Sequence, residues 1–366
     1  MERSVLEGIT PGGVLALRGA FPESDWDIRP FGKLGVTRSV SETAPDDVYD
    51  LASVTKVLST TFLAMIARDR GITGSPDSSL ASFGWGGAAD TAPLTLRNLL
   101  AHRSGLPAWR PLYLLGGGDR RERRAAARDA ILRERPLFPQ GGRTLYSDLG
   151  FILLGALLEE LFGDGLDALF AKEIAGPLGL EAAGFQPLGP QGFARREKAG
   201  GGKRYRTAPT EDGFRCGGPL DWPGVPVLGP VPPGRVHDDN AAWLGGAAGH
   251  AGLFAAAGDA ARIVGSFQKS FQGKGGLASR ATAREFMRLQ GPSGSPGRRG
   301  LGFDAAPRPS GRGVLYGHKG YTGATVWFDP EGREGMVLVC NRVHPTARRG
   351  GMEAFREKLA TLAFPD

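Results

Sequence analysis

Hydrophobic and polar residues change their spacing along the chain, and the changes predict an α/β protein. Residues 12–21, GGVLALRGAF, alternate in character and are bounded by turn signals, which predicts a strand. Residues 53–71 repeat apolar side chains at helical spacing and stop at Gly71, which predicts an amphipathic helix. A strand followed by a helix is therefore expected near the start of the chain.

The middle of the chain, residues 72–235, has the pattern of helices joined by long loops. One helix is predicted to open at Thr95, a capping residue, and a strongly apolar helix is predicted to start near Ser147. Residues 181–235 are rich in Gly and Pro and show no regular period, which predicts an irregular segment.

The last third of the chain returns to alternating helices and strands. Helices are predicted near 259–272 and 281–289, then three strands, then a closing helix at 351–364. The three strands, GVLYGHKG, YTGATVWFDP and GMVLVCNRV, are joined by short turns, which predicts an antiparallel meander.

This order of patterns predicts two lobes. Residues 1–71 and 236–366 are expected to form one α/β lobe from both chain ends, and residues 72–235 an inserted, mostly helical lobe with long loops. Ligand sites are common at such junctions, so we expect the functional cleft between the lobes.

Composition narrows the class of protein. The 366 residues are 41% hydrophobic and 23% charged, which is typical of a globular protein, and 58 glycines and 27 prolines indicate many turns. No apolar run approaches the roughly 18 residues of a membrane span, and the N-terminus lacks the pattern of a signal peptide. We therefore expect a cytoplasmic location, or a periplasmic one if the start is mis-assigned. Cys216 and Cys340 have no motif spacing, which leaves their pairing open.

The net charge of +7 raises the question of a nucleic-acid partner. Residues 119–135 hold seven arginines against four acids on a predicted helix, a pattern typical of a solvated, ion-paired face. Residues 195–206 are basic and Gly-rich and are predicted to form a flexible loop. No nucleic-acid-binding motif accompanies either segment, so we expect no nucleic-acid partner.

Three polar motifs fall at the ends of predicted elements: Ser53 with Lys56, YSD from Tyr146, and HKG from His318. A serine hydroxyl is a poor nucleophile until a base takes its proton, and residues three apart on a helix share a face. Lys56 can therefore reach Ser53. The spacing alone is not specific, because SFQK at 266–269 repeats it.

Each motif also has a purely structural interpretation. Ser53 could cap a helix, Tyr146 could be an aromatic residue at the edge of the core, and Asp148 could cap the next helix. His318 could be a structural residue at a strand end, and His102, in LLAHRSGLP, is expected to fix the turn after its helix.

Taken in order, these motifs resemble the serine β-lactamase and penicillin-binding protein superfamily. The resemblance is closest to the class C-like branch, which holds β-lactamases, D,D-carboxypeptidases, D-aminopeptidases and esterases. SVTK matches its Ser-x-x-Lys, YSDLGF its Tyr-x-Asn, and GHKGYTG its Lys-Thr-Gly or His-x-Gly strand. LLAHRSGLP, PLGL and GGAAGHAGLFAAAGDAARI extend the resemblance, which covers residue 12 to the C-terminus. It implies a β-lactamase/transpeptidase-like α/β (α+β) fold, with an antiparallel sheet flanked by helices and an inserted helical lobe.

The resemblance implies catalytic roles for three residues. Ser53 would be the nucleophile, and Tyr146 would be the base or the proton shuttle between Ser53 and the leaving group. A phenol has an ordinary pKa near 10, so it needs a nearby cation to titrate usefully, and Lys56 would supply that cation. Which of Lys56 and Tyr146 acts as base is left open.

The resemblance also implies a set of residues that bind substrate. A helix N-terminus places backbone N–H groups near Ser53, so the Ser53 amide would be one half of an oxyanion hole. The other half would be the amide of Tyr321, after Gly320. His318 and Lys319 would bind the carbonyl or carboxylate side of the substrate. Asp148 stands where the family more often has Asn, and we expect it to lie near Lys56 and to raise the lysine pKa.

The expected function is a metal-independent serine hydrolase without a cofactor that forms an acyl-enzyme on a small-molecule substrate. VHDDNA at 236–241 is too sparse to predict a metal site. The substrate could be a small ester, a D-amino-acid peptide or a β-lactam, and the residues at 148 and 319 favour an esterase or peptidase-like hydrolase. The alternatives are a penicillin-binding sensor that deacylates poorly and a nucleic-acid-associated protein. The oligomeric state is left open.

Overall fold

Both ends of the chain contribute strands to one antiparallel sheet. The computed structural model describes residues 1, 5, 7–19, 25–37, 40–86, 94–185, 193–195, 204–217, 224–291, 297, 299–348 and 350–365. Its strands are, in chain order, β1 (Gly12–Arg18), β2 (Asp27–Gly32), β3 (Tyr49–Asp50), β4 (Gly184–Phe185), β5 (Phe193–Arg195), β6 (Arg204–Arg206), β7 (Arg215–Cys216), β8 (Val227–Leu228), β9 (Leu253–Ala255), β10 (Asp304–Pro307), β11 (Val314–Lys319), β12 (Thr325–Phe328) and β13 (Gly335–Cys340). Six of them form the main sheet in the order β10–β11–β12–β13–β1–β2, and all neighbours are antiparallel. The predicted sheet and its meander are confirmed.

Helices pack on both faces of this sheet. The α-helices are, in chain order, α1 (Phe62–Asp69), α2 (Leu96–Leu100), α3 (Arg120–Leu132), α4 (Asp148–Phe162), α5 (Leu166–Phe170), α6 (Gly176–Leu178), α7 (Asp239–Trp243), α8 (Ala257–Gln272), α9 (Arg280–Phe286) and α10 (Met352–Ala363). Short 3-10 turns occupy Ala52–Val54, Leu80–Phe83 and Leu112–Leu115, and wider π-helical turns occupy Lys56–Thr61 and Ala171–Ala175. Thr95 caps α2 as predicted, because its side chain accepts a hydrogen bond from the Asn98 amide.

Two neighbouring strands inside the sheet, β13 and β1, have apolar residues buried on both faces. Val14 pairs with Val339 and faces the main core, which also contains the apolar residues of α8. Leu15 pairs with Leu338 and faces a second core under α10, against Phe355. Burying one such side chain contributes about 1.5–3 kcal/mol, so apolar residues on both faces explain the uninterrupted apolar run of β13.

The segment that contains Ser53 differs from the single amphipathic helix predicted for it. A 3-10 turn, Ala52–Val54, leads into the π-helical turn Lys56–Thr61, and only then does α1 begin. Every residue at 54–67 is buried, so the segment has no polar face towards solvent. Apolar and polar residues of the segment are therefore buried together, the polar ones including Ser59, Thr60 and Thr61. π-helical turns are common at functional sites.

The helix after Tyr146 begins where the sequence predicts, but with a different cap. The Ser147 side chain accepts the hydrogen bond from the Gly150 amide at 3.4 Å, so Asp148 is the first residue of α4 and not its cap. The side chain of Asp148 is therefore available for another contact.

The segment at 181–235 is less irregular than predicted. It contributes β4, which pairs with β9, and the hairpin-like pairs β5–β6 and β7–β8. Most of the basic loop predicted at 195–206 lies outside the described residues. Cys340 is buried and free, and the side chain of Cys216 lies outside the described residues.

The basic helix α3 uses its arginines in ion pairs. Asp119 and Glu122 form a capping box at its start. Arg120 pairs with Asp167 at 2.8 Å, and Arg124 pairs with Glu159 at 2.5 Å. These contacts attach α3 to α4 and α5.

None of the helices within the described residues is long and apolar enough to cross a membrane. The division into a lobe of residues 1–71 with 236–366 and an inserted lobe of residues 72–235 stays a prediction.

Two glycines bring α4 against the segment that follows α7. A Cβ on Gly155 would lie 2.8 Å from the backbone of Gly249, which no real pair of atoms tolerates without movement. A Cβ on Gly150, in the first turn of the same helix, would meet Leu99 at an ordinary 3.5 Å. Gly155 therefore sets the closest approach of α4 to residues 249–250.

We expect Gly155→Ala to lower the free energy of unfolding, because overpacking costs about 1–3 kcal/mol and exceeds the gain in helix propensity of about 1 kcal/mol. Gly150→Ala is the matched control, and we expect it to leave stability unchanged or to raise it slightly. Chemical denaturation of both variants measures the difference. Equal stability of the two would contradict the close approach.

Candidate active site

A strained residue precedes Ser53. Ala52 has φ of +45°, in the left-handed region that residues with a Cβ avoid. Its amide donates to Asp50 Oδ1 at 2.8 Å, and the second carboxylate oxygen of Asp50 accepts from the His237 amide at 2.7 Å. Asp50 is buried, and burial raises the pKa of its carboxyl, against the two backbone donors. Strain of this kind is stored where the surrounding structure holds a residue in place, which is common at active sites.

Lys56 is fully buried beneath Ser53, and its Nζ donates to three oxygen atoms. The acceptors are Asp148 Oδ1 at 2.7 Å, Ser53 Oγ at 3.0 Å and the His250 carbonyl at 3.1 Å. An ammonium has three N–H donors, so this set satisfies it completely. Burial alone would lower the pKa of Lys56, but the charge of Asp148 and the contact with Tyr146 outweigh burial and raise it. Lys56 therefore holds a proton and donates to Ser53 Oγ.

Tyr146 lies beside Lys56 with its hydroxyl directed inward. Lys56 Nζ is 4.9 Å from the centre of the Tyr146 ring, and the phenol oxygen is buried and has no hydrogen-bond partner in regular geometry among the described residues. Burial raises the pKa of Tyr146 to about 12, although Lys56 and Ser53 act in the opposite direction. Deprotonated, this phenolate would be a strong base next to the Ser53 hydroxyl.

His102, which the sequence predicted to fix the turn after its helix, also contacts Tyr146 and the residues on both sides of it. Its carbonyl accepts from the Leu145 amide at 2.8 Å, and its Nδ1 accepts from the Ser147 amide at 3.0 Å. Its ring lies 4.5 Å from the Tyr146 ring. His102 has φ of +53°, so its backbone is held in an uncommon conformation. These contacts hold the residues on both sides of Tyr146.

His318 is buried opposite Tyr146, with its ring centre 5.7 Å from the tyrosine ring. Burial lowers the pKa of His318 to about 4, against the attraction of Asp304. The neutral ring places its proton on Nδ1, since Nδ1 lies 2.9 Å from the Lys319 carbonyl. Nε2 has no hydrogen-bond partner among the described residues and is left as an acceptor. This arrangement suits a donor group on a ligand and differs from the carbonyl or carboxylate contact expected for His318.

Lys319 and His318 are consecutive in β11, so their side chains leave opposite faces of the strand. Lys319 Nζ pairs with Glu353 of α10 at 2.6 Å. Its charge is therefore compensated at the rim of the cleft, which weakens the substrate-binding role that the resemblance implied.

The turn after β11 lies directly against the segment before Ser53. Thr322 Oγ1 donates to the Asp50 carbonyl at 2.7 Å, and a Cβ on Gly320 would lie 2.5 Å from the Leu51 carbonyl oxygen. Only glycine fits at position 320. In the part of the chain that the structure describes, the amides of Ser53 and Tyr321 have no hydrogen-bond acceptor.

Most of these residues line one cleft of about 1020 Å³. Its wall includes Ser53, Tyr146, Asp148, His318, Gly320 and Tyr321. The structure thus brings together all the residues predicted for the site, with Lys56 below the floor and Lys319 at the rim. A separate cavity of about 1150 Å³, near Arg284 and Tyr316, contains none of them.

Sequence reasoning missed His250 and its partner. The His250 carbonyl accepts from Lys56, and its Nε2 lies 2.9 Å from Asp238 Oδ1. Thr60 Oγ1 donates to the neighbouring Gly249 carbonyl at 2.7 Å. The motif GGAAGHAGLF was the available signal, but it could not show that a backbone carbonyl makes the contact.

The segment VHDDNA is divided among three separate pairs. His237 contacts Glu211 at 2.8 Å, Asp238 contacts His250, and Asp239 makes a two-fold contact with Arg215 at 2.5 Å. Among the described residues, no group of three or more His, Cys, Asp or Glu side chains is arranged to hold a metal ion.

Comparison with known proteins gives a consistent result. A family model described as Beta-lactamase matches residues 6–361. Two proteins from strains of Escherichia coli, each named provisionally as a D-alanyl-D-alanine carboxypeptidase, are 30% identical over 319 residues, which is 81% of this chain and 69% of theirs.

Solved structures with the same fold cover nearly the whole chain. EstCE1, a hydrolase with promiscuous acyltransferase activity, matches with a TM-score of 0.70 over 99% of this chain and 96% of its own, at 20% identity. A class C β-lactamase from Rhodobacter sphaeroides matches with a TM-score of 0.67 over 98% of this chain and 96% of its own, at 18% identity. These two likenesses show the fold.

We expect His318 to stay neutral, with its proton on Nδ1, when the protein is acidified from pH 7 to about pH 5, because burial lowers its pKa to about 4. Long-range ¹H–¹⁵N NMR of the imidazole rings measures this, and the spectrum of His318→Gln assigns the signal. A midpoint near the ordinary histidine value of about 6.5 would show that the ring is not buried as described.

Proposed function

This chain belongs to the β-lactamase family of serine hydrolases, and we propose that it cleaves an ester or amide bond through an acyl-enzyme on Ser53. One observation carries the proposal: the Ser53 hydroxyl lies 3.0 Å from a fully buried ammonium, at the wall of a cleft shared with Tyr146. A buried cation beside a hydroxyl lowers the cost of forming an alkoxide there.

Tyr146 is the proposed base. Lys56 uses all three of its N–H groups as donors, so it has no lone pair for the Ser53 proton while it remains an ammonium. The Tyr146 phenolate takes that proton as Ser53 Oγ bonds to the carbonyl carbon and gives a tetrahedral oxyanion. The bond to the leaving group then breaks as the leaving group takes the proton from the neutral Tyr146, which restores the phenolate. Water then repeats the sequence on the acyl-enzyme and releases the acid and the free serine.

The amides of Ser53 and Tyr321 are the proposed oxyanion hole. The contacts of Thr322 and Gly320 with the segment before Ser53 hold the two amides on neighbouring parts of the cleft wall. Removing one donor of an oxyanion hole typically lowers the rate by about 10²–10³-fold.

The proposed substrates are small esters and peptides that end in a D-amino acid, with β-lactams turned over poorly. The E. coli relatives are named for the peptide reaction, at 30% identity. Lys319 pairs with Glu353, which leaves less positive charge for any substrate carboxylate, that of a β-lactam or of a D-amino-acid peptide, so the pair favours the neutral esters. His318 Nε2 is an acceptor and suits an N–H or O–H group of the substrate or the attacking water.

We expect Ser53→Ala to lose labelling by a fluorophosphonate probe and to lose hydrolysis by about 10³-fold or more. The assay panel is p-nitrophenyl acetate and butyrate, a D-Ala-D-Ala peptide and nitrocefin, and we expect nitrocefin to be the slowest. Mass spectrometry of the labelled protein should find the adduct on the peptide that contains Ser53.

Ser266→Ala is the matched control, because Ser266 and Lys269 repeat the spacing away from the cleft. Ser266 Oγ accepts from the Leu277 amide at 3.2 Å, so its loss costs stability of about 1–3 kcal/mol but should leave labelling intact. An adduct on another peptide, or full activity of Ser53→Ala, would overturn the proposed function. Labelling without turnover of the panel would overturn the hydrolytic step.

Asp148→Asn should move the ascending limb of kcat/KM to lower pH. The carboxylate raises the pKa of both Lys56 and Tyr146, so its removal makes both groups lose their protons more easily. Because the two groups titrate together, the limb belongs to the pair and not to either residue. A pH–rate profile with a neutral ester measures the shift.

Asp164→Asn is the control for net charge, since Asp164 is exposed beyond the far end of α4. It should leave the profile unchanged. A limb that stays in place or moves to higher pH in Asp148→Asn would contradict the role given to Asp148.

A further inference from the structure

The turn at 320–324, after β11, is held by side chains from two other parts of the chain. The Gly320 carbonyl accepts from Arg356 Nη2 at 2.6 Å, and the Tyr321 carbonyl accepts from Arg342 Nε at 2.7 Å. These bonds come in addition to the bonds within the turn. The turn is therefore fixed from outside, and its conformation does not depend on its own sequence alone.

Arg356 makes most of these external contacts although it is almost completely buried. It lies in α10, and its side chain is 8% exposed. Besides Gly320, it donates to the Ala324 carbonyl at 3.2 Å and to Thr325 Oγ1 at 2.8 Å, and Nη1 contacts Glu353 at 2.5 Å. Burying a guanidinium costs several kcal/mol and gives little net stability. Two of its four contacts go to carbonyls of one backbone turn, so the role of that turn is the better explanation for Arg356.

The contact with Gly320 acts on the amide proposed to stabilise the oxyanion. The Gly320 carbonyl and the Tyr321 N–H belong to one planar trans peptide, so they point in opposite directions. A donor that fixes the carbonyl also fixes the direction of the N–H. A cationic donor polarises the peptide as well, which makes its N–H a stronger hydrogen-bond donor.

We propose that Arg356 is a positioning residue, which orients and polarises the Gly320–Tyr321 peptide so that its N–H stabilises the negative charge of the transition state. This inference rests on the proposed function. Arg356 borders the cleft, but its nitrogens are occupied by Gly320, Ala324, Thr325 and Glu353. It therefore acts through the turn and does not bind the substrate.

The test compares Arg356→Gln and Arg356→Lys with the control Lys358→Gln, which removes an exposed positive charge from the same helix. The substrate is p-nitrophenyl butyrate, which carries no charge. The inhibitor is phenylboronic acid, which bonds to a serine oxygen and forms a tetrahedral anion that resembles the transition state.

Arg356→Gln should lower kcat by about tenfold or more, up to the roughly 10²–10³-fold that loss of a whole donor costs, and should weaken the binding of phenylboronic acid by a similar factor. KM should change by less than about threefold, since the ground state uses the amide less. Arg356→Lys keeps the charge but not the fork of donors, so it should show a smaller loss of the same kind. Lys358→Gln should match the parent protein.

Unchanged kcat and unchanged boronate affinity in Arg356→Gln would overturn the inference. If Arg356→Gln does not fold, Arg356→Lys decides, and parent values of kcat and boronate affinity in it would overturn the inference equally. A loss confined to anionic substrates would show that Arg356 binds the substrate instead. Ser53→Ala, assayed in parallel, distinguishes failure of this inference from failure of the proposed function. Activity that survives in Ser53→Ala would contradict the acyl-enzyme on Ser53, whatever the Arg356 variants show.

Discussion

The buried ammonium of Lys56 is the interaction on which the rest of the site depends. A charge without access to water is costly unless every donor has an acceptor. Its three acceptors come from three distant parts of the chain: Ser53, Asp148 and the His250 carbonyl. The segment before α1, the start of α4 and the loop after α7 must therefore all be in place before the cation can be buried.

Burial favours the neutral form of all three titratable groups around the cleft, and the neighbours decide whether burial prevails. For His318, burial outweighs the attraction of Asp304, so its pKa is lowered and the ring is neutral, with an Nε2 acceptor that has no partner among the described residues. Lys56 has Asp148 in contact, which overcomes burial and keeps the proton on the amine. Tyr146 has the cation beside it but remains hard to ionise. A cation, a neutral acceptor and a latent base thus share one pocket.

The backbone around the site is held rigid by close packing and by side chains that bind to its amides and carbonyls. Gly155 against Gly249 sets the distance from α4 to the loop that holds Lys56, and Asp50 holds Ala52 in its strained conformation. The turn at 320–324 is fixed against both the Ser53 segment and α10. Such preorganisation means that little has to move as charge develops on the substrate.

The sequence by itself determined the elements and the identity of the chemical groups. Apolar periodicity predicted β1, the closing meander and α4, and the three ordered motifs named Ser53, Tyr146 and His318, because period and motif order are local properties of the chain. It did not predict that the helical segment at Ser53 begins with 3-10 and π-helical turns and is buried on all sides, because an apolar period does not show how much of a helix its neighbours cover. Only the tertiary structure decided that His250 contributes a carbonyl, that Lys319 pairs with Glu353 and that Arg356 holds the turn at 320–324. Each of these depends on residues distant in sequence meeting in space, and spacing along the chain carries no information about such contacts.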